Sequence, residues 1–144
     1  MKENGEKLFV YGSLMDPDIF FEVSGIKSTF NEAILKDFRV VRVLNEVYPG
    51  IYACPGFQVF GRVWTSLNQK ALQRLDQFEG NDYERRQVQI TYASGESESV
   101  WVYRFKEAFK DKLSEESWNF EEFLLRGVEH FRQNYMAEHL PEIK

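Results

Sequence analysis

One cysteine and two histidines stand among 144 residues, and each scarcity closes a class of function. A lone Cys54 forms no internal disulfide, and with only His130 and His139 beside it no cysteine-rich metal site can be assembled. Cations are also in deficit. Eighteen Lys plus Arg against 23 Asp plus Glu leave a formal charge of −5, without the basic stripe that tracks a phosphate backbone or an anionic membrane. No run approaches the roughly 18 apolar residues of a spanning helix, and the polar, charged stretch from Met1 to Lys7 has no apolar segment behind it. The expectation is therefore a cytosolic protein whose partner is neither nucleic acid nor membrane.

Aromatic residues are abundant instead: 13 Phe, 7 Tyr and 3 Trp within a 43% hydrophobic composition. That is ample for a packed core, and the length fits a single domain over residues 1–144. No internal repeat, low-complexity tract or linker interrupts it.

Leu8 to Tyr11 form a short apolar run stopped at Gly12, the pattern of a buried strand. Asp16 before Pro17, with Ile19, Phe20 and Val23 behind, predicts a short helix over 17–23 that ends at Gly25. Ala33 to Leu35 and Phe38 to Leu44 read as one kinked strand or two, and Tyr48-Pro49-Gly50 as a turn. Phe57 to Trp64 is apolar on both faces, as in a strand covered twice or curled into a barrel, and Gly61 within it marks a bend or a close approach.

Ser66 and Gln69 have capping-box spacing, and Leu67, Ala71, Leu72, Leu75 and Phe78 follow at helical intervals until Gly80. Val88, Ile90 and Tyr92 alternate with polar residues, Ser94-Gly95 turns the chain, and Val100 to Phe105 supply the partner strand. From Phe120 to Tyr135 an i, i+3, i+4 stripe predicts a C-terminal helix docked by its apolar face. The mixture indicates α+β.

The chemistry-bearing candidates are few. Cys54 lacks an activating neighbour, and both histidines read as solvated. The Gly12-Ser13-Leu14 turn can offer successive backbone N–H groups to an anion or oxyanion, although such a turn commonly does no more than end a strand. Glu79 lies at a helix C-terminus, where the macrodipole disfavours negative charge. Such a carboxylate usually points into water. Enclosed by the neighbouring aromatics, it would have the raised pKa of a general base working near neutrality. Asp76 reads as helix surface and Asp82 as a turn residue.

Taken together, Tyr11-Gly12-Ser13-Leu14 and Leu75-Asp76-Gln77-Phe78-Glu79-Gly80-Asn81-Asp82-Tyr83-Glu84-Arg85 resemble the paired motifs of the gamma-glutamylcyclotransferase-like superfamily, in particular its avirulence-induced-gene-type (AIG2-like) branch. Tyr48-Pro49-Gly50-Ile51 resembles that family's proline turn, and Val59 to Trp64 its strand before the helix. The core of the resemblance runs over about 8–105. A helical extension over about 114–140, opening with Trp118-Asn119-Phe120-Glu121-Glu122, is similar to the one in that branch.

What the resemblance implies is a small, mainly antiparallel β-barrel flanked by helices. It also implies an enzyme that cyclises a γ-glutamyl amine, peptide or amino-acid derivative to 5-oxoproline with release of the amine. Glu79 would be the acid/base, and Tyr11, Gly12, Ser13 and Leu14 the loop that holds the glutamyl group. Neither metal nor cofactor is implied; Tyr83 and Arg85, read from their own positions, either support the pocket or, as a strand-edge Tyr-Arg pair more often does, only the loop after Glu79. Two other readings share the fold: a non-catalytic small-metabolite binding or regulatory protein, and a hydrolase or acyl transferase using the same site.

Overall fold

The computed structural model describes residues 5–139. Five strands close on themselves: β1 (Glu6–Val10), β2 (Phe30–Val43), β3 (Pro49–Leu67), β4 (Tyr83–Tyr92) and β5 (Ser97–Phe105) follow the order β3-β1-β5-β4-β2, and β2 pairs back with β3. A sixth strand, β6 (Leu113–Ser117), is added to the end of β2. Every pairing is antiparallel except β1 with β5.

Strand β1 lies between β3 and β5 and is covered on both faces, which is why its apolar run is unbroken. Phe9 and Tyr11 point into the barrel among Val59, Val63, Ile90 and Val102, whereas Leu8 and Val10 point outward under the helices with Trp64, Leu72 and Leu75. Alternate residues thus feed two separate cores. Gly61 is a close approach: a Cβ there would lie 2.2 Å from the Val10 carbonyl oxygen and 2.6 Å from the Phe9 ring.

The long β2–β3 hairpin is kinked where expected, at Lys36-Asp37. Asp37 takes φ 65° and Gly56 φ 91°, and the Gly56 N–H donates to Asp37 Oδ1 at 3.1 Å. Residues 54–57 sit opposite this single residue, a bulge that lets the hairpin wrap around the barrel. Cys54 lies half-buried within it.

Three expectations need correction here. The turn between β2 and β3 is at 44–48, pivoting on Asn45 with φ 63°, and Pro49 is already in β3 opposite Arg42. Proline is tolerated at the first position of a strand because no ladder bond is asked of its nitrogen. The predicted capping box is not used: Ser66 (φ 60°) and Leu67 remain in β3, where Leu67 faces Glu6. The helix α2 (Gln69–Glu79) is capped instead by Asn68, whose Oδ1 accepts the Ala71 N–H at 2.8 Å. The C-terminal extension does not begin as helix, since Leu113–Ser117 are strand and the helix occupies 120–139. That helix includes π-helical turns at Phe123–Gly127 and Arg132–Met136. Residue 140 lies outside the described residues.

The helix α1 (Pro17–Ser24) forms as its sequence predicts, with Asp16 Oδ1 accepting the Asp18 N–H and Gly25 in the left-handed region at its end. It packs against α2 through Arg74, which is buried and donates from Nε to the Val23 and Ser24 carbonyls at 2.9 and 3.2 Å. Arg74 therefore closes the C-terminus of α1 and fixes α2 beside it. Among the described residues, no helix is long and apolar enough to cross a membrane.

Candidate active site

Beyond β1 the chain passes Tyr11 and Gly12 into a 3-10 turn, Ser13–Met15. Met15 and Asp16 donate back to the Gly12 and Ser13 carbonyls at 3.0 Å, whereas the amides of Gly12, Ser13 and Leu14 enter no backbone hydrogen bond among the described residues. Neighbouring side chains hold the turn from behind: Trp64 Nε1 donates to the Leu14 carbonyl at 3.0 Å, and Arg62 to that of Met15 at 2.5 Å. Phe20 stacks on Trp64 at 4.2 Å, tying this support to α1. Gly12 lies close against Pro49: a Cβ there would meet the proline ring at 3.0 Å.

Glu79 comes from the last position of α2, a helix whose apolar face of Ala71, Leu72, Leu75 and Phe78 is fully covered. Docking of that face turns the helix end toward the barrel mouth. Gly80, at φ 82°, then redirects the chain, its N–H bonded to the Asp76 carbonyl at 3.2 Å.

The two segments meet. Tyr11, Gly12, Ser13, Leu14, Glu79 and Tyr83 all line one narrow cavity of about 30 Å³. Its remaining walls are mostly aromatic: Phe9, Tyr48, Phe78, Tyr103, Phe131 and Tyr135, with Val10 and Pro49. Glu79 also borders a second, open groove that runs past Asp76, Arg85 and Lys106.

Glu79 is half-buried between the cavity and the groove, and this partial enclosure acts on its carboxyl. Burial first, and the nearby Asp76 charge second, raise the Glu79 pKa to about 8. Among the described residues no hydrogen bond to the Glu79 carboxyl offsets this rise, and four of the phenols around it are committed elsewhere. Tyr11 donates to the Tyr103 carbonyl at 2.6 Å, Tyr83 to that of Pro49 at 2.7 Å and Tyr103 to Asp76 Oδ1 at 2.5 Å. Tyr135 donates to the carbonyls of Phe78 and Glu79. Burial raises the pKa of all four, so they stay protonated at any working pH.

Arg85 does not reach the cavity. It grips Asp76 with two bonds, 2.8 and 3.1 Å, and lies 4.4 Å over the Trp101 ring. Asp76 is accordingly a half-buried anchor shared by Arg85 and Tyr103, not an idle surface residue. Asp82 keeps a turn role, accepting the Lys106 N–H at its carbonyl and Lys112 Nζ at its carboxylate. His130 is exposed, but His139 is half-buried and stacks on Tyr135 at 3.9 Å, a correction to its reading as solvated.

The residues that sequence reasoning missed are wall residues. Tyr48 and Pro49 lie in a stretch recognised for its proline without either residue being singled out, and Tyr103 is hidden in an ordinary alternating strand. Phe131 and Tyr135 belong to the helical stripe read as core. Their ring packing is indeed core packing, and only the cavity at one end of it makes them site residues.

Comparison with known proteins follows the same lines. The chain is 31% identical to AIG2-like protein C of Arabidopsis thaliana over 125 residues, covering 86% of this chain and 72% of that one. It is 34% identical to AIG2-like protein A of the same plant over 118 residues, 81% and 70% of the respective chains. Among solved structures, an Arabidopsis thaliana protein determined in solution superposes with a TM-score of 0.69 at 30% identity, covering 95% of both chains. A gamma-glutamyl cyclotransferase superposes at 0.62 with 22% identity, over 70% of this chain and 66% of that one, a likeness of fold. The family model described as "Gamma-glutamyl cyclotransferase, AIG2-like" matches residues 8–120, and the chain belongs to that family.

Proposed function

We propose that this chain is a γ-glutamyl cyclotransferase that converts a small γ-glutamyl amine, peptide or amino-acid derivative to 5-oxoproline and the free amine. The observation that carries the reading is the meeting of Glu79 with the Gly12 to Leu14 turn in one cavity.

In this reaction the nucleophile belongs to the substrate. Its α-amine attacks the γ-carbonyl carbon, a C–N bond closes the five-membered ring, and the γ-amide C–N bond breaks. Proximity is built in, and intramolecular reactions of good geometry reach effective molarities of about 10⁵ M or more. The protein's tasks are protonic and electrostatic. Ionised Glu79 takes a proton from the α-ammonium group and returns it to the departing nitrogen as the tetrahedral intermediate collapses. The unused amides of Gly12, Ser13 and Leu14 face the oxyanion or the α-carboxylate. A carboxyl raised to about 8 is close to the affinity needed to accept and release a proton near neutrality.

Incubation with a panel of γ-glutamyl compounds tests the proposal. 5-Oxoproline should appear with at least one of them, and Glu79→Gln should abolish it with the circular dichroism spectrum retained. Release of glutamate, or of a new γ-glutamyl amide, would assign the site to hydrolysis or acyl transfer. Calorimetric binding of an acidic metabolite with no product would leave a binding protein.

A further inference from the structure

The C-terminal helix over 120–139 does more than cover the core. At its second π-helical turn, Tyr135 reaches the end of α2 and places its hydroxyl 2.5 Å from the Phe78 carbonyl oxygen and 3.0 Å from that of Glu79. These are last-turn carbonyls, which no amide of their own helix can satisfy. One phenol from a distant element therefore closes the end of the helix that carries the candidate base. Its own position is fixed in turn: the ring stacks between Phe131, at 5.1 Å, and His139, at 3.9 Å, and meets Phe78 edge-on at 5.2 Å.

We infer that Tyr135 is a positioning residue, which holds the Glu79 backbone so that its carboxyl stays inside the cavity, and that the C-terminal helix is thereby a working part of the site. The role of Glu79 as proton carrier is taken from the proposed function; the positioning itself is a statement about geometry. The alternative is that Tyr135 merely staples the helix to the barrel. Trp118 makes such a staple, donating from Nε1 to the Val47 carbonyl at 2.8 Å and standing outside the Glu79 cavity.

The two roles separate in Tyr135→Phe, which keeps the ring and removes only the hydroxyl. With the helix end released, Glu79 gains access to water. The kcat of the best γ-glutamyl compound should fall about tenfold with KM little changed, because the hydroxyl faces the helix end and not the glutamyl loop. Independently of turnover, the Glu79 carboxyl can be followed by ¹³C NMR, its signal identified by its loss in Glu79→Gln. Besides Asp76 on its own helix, the groups around it are the phenols of Tyr11, Tyr48, Tyr83, Tyr103 and Tyr135, all held protonated, Arg85 and Lys106 across the groove, and the His139 imidazole stacked on Tyr135, whose contribution a parallel titration in His139→Gln separates from that of Glu79.

In Tyr135→Phe the midpoint should fall by about one pH unit, whereas Trp118→Phe should lower the Tm and leave the midpoint in place. If Tyr135→Phe also lowers only the Tm, with midpoint and kcat unchanged, Tyr135 is a staple and the inference is overturned. A midpoint that moves in a protein turning over no γ-glutamyl compound supports the positioning and refutes the cyclotransferase reading.

Discussion

Removing the Glu79 charge should stabilise the protein, and by an amount that depends on pH in one direction only. Its pKa is near 4.5 when the chain is unfolded and about 8 when folded. The folded state therefore binds the proton more tightly, and stability is lost as pH rises between those two values. Each unit costs about 1.4 kcal/mol, which gives about 3 kcal/mol by pH 7 and about 5 kcal/mol above pH 8 as upper bounds. Glu79→Gln keeps the size and removes the titration. In urea unfolding from pH 4 to 9, its stability relative to wild type should be flat below about pH 4.5, climb through neutrality and level off above about pH 8. A difference that stays constant over this range would refute the enclosure of Glu79, because a solvated carboxyl titrates alike in both states. The climb should coincide with the acid limb of kcat/KM, since the carboxylate form begins the proposed reaction.

Other expected outcomes follow from named contacts. Asp76→Asn removes the second cause of the Glu79 shift, so the acid limb should move to lower pH, with a stability loss of about 1–2 kcal/mol as Arg85 loses its ion pair and the acceptor of its Nη2, while Oδ1 still accepts from Tyr103. Gly61→Ala should prevent folding or lower the Tm severely, because the added methyl lands 2.2 Å from the Val10 carbonyl oxygen and no small shift of a strand between two others relieves it. Gly12→Ala meets only the Pro49 ring, and should fold with a modest Tm loss while reducing turnover about tenfold or more by displacing the turn amides. Arg74→Ala should cost about 2 kcal/mol in urea unfolding, since it uncovers two carbonyls at the end of α1.

How much of this was legible depended on whether a residue's role is local. The run from Leu8 to Tyr11 announces a buried strand, and Asp16-Pro17 announces a helix, because each pattern is set within a few residues. The Tyr11–Leu14 and Glu79 motifs were equally readable, and they meet in one cavity. Errors arose where two local solutions compete. Ser66 and Asn68 can each cap α2, and the choice falls to Asn68 because Leu67 is needed in β3 opposite Glu6. Pro49 reads as a turn residue, yet the Asn45 turn already reverses the chain and frees Pro49 to open a strand. The capping roles of Tyr135 and Arg74 could not be read, since their partners lie 57 and 51 residues away and neither type is diagnostic of a cap.

The poverty in histidine also acquires a physical meaning. A protein that moves a proton near neutrality with a carboxyl must raise that carboxyl's pKa by several units, and three features here act in the same direction. The helix C-terminus opposes a negative charge, the aromatic wall removes water, and Asp76 lies one turn earlier on the same helix. A single hydrogen bond from a nearby phenol would reverse much of this by stabilising the carboxylate. The surrounding tyrosines are therefore as informative in where their hydroxyls go as in where their rings lie. Tyr11, Tyr83, Tyr103 and Tyr135 each donate to a carbonyl or to Asp76, so these four phenols spend their protons away from Glu79. Replacing these rings by phenylalanine would leave the wall apolar but untethered, which is why tyrosine in these positions serves an enclosed carboxyl better than a more hydrophobic residue.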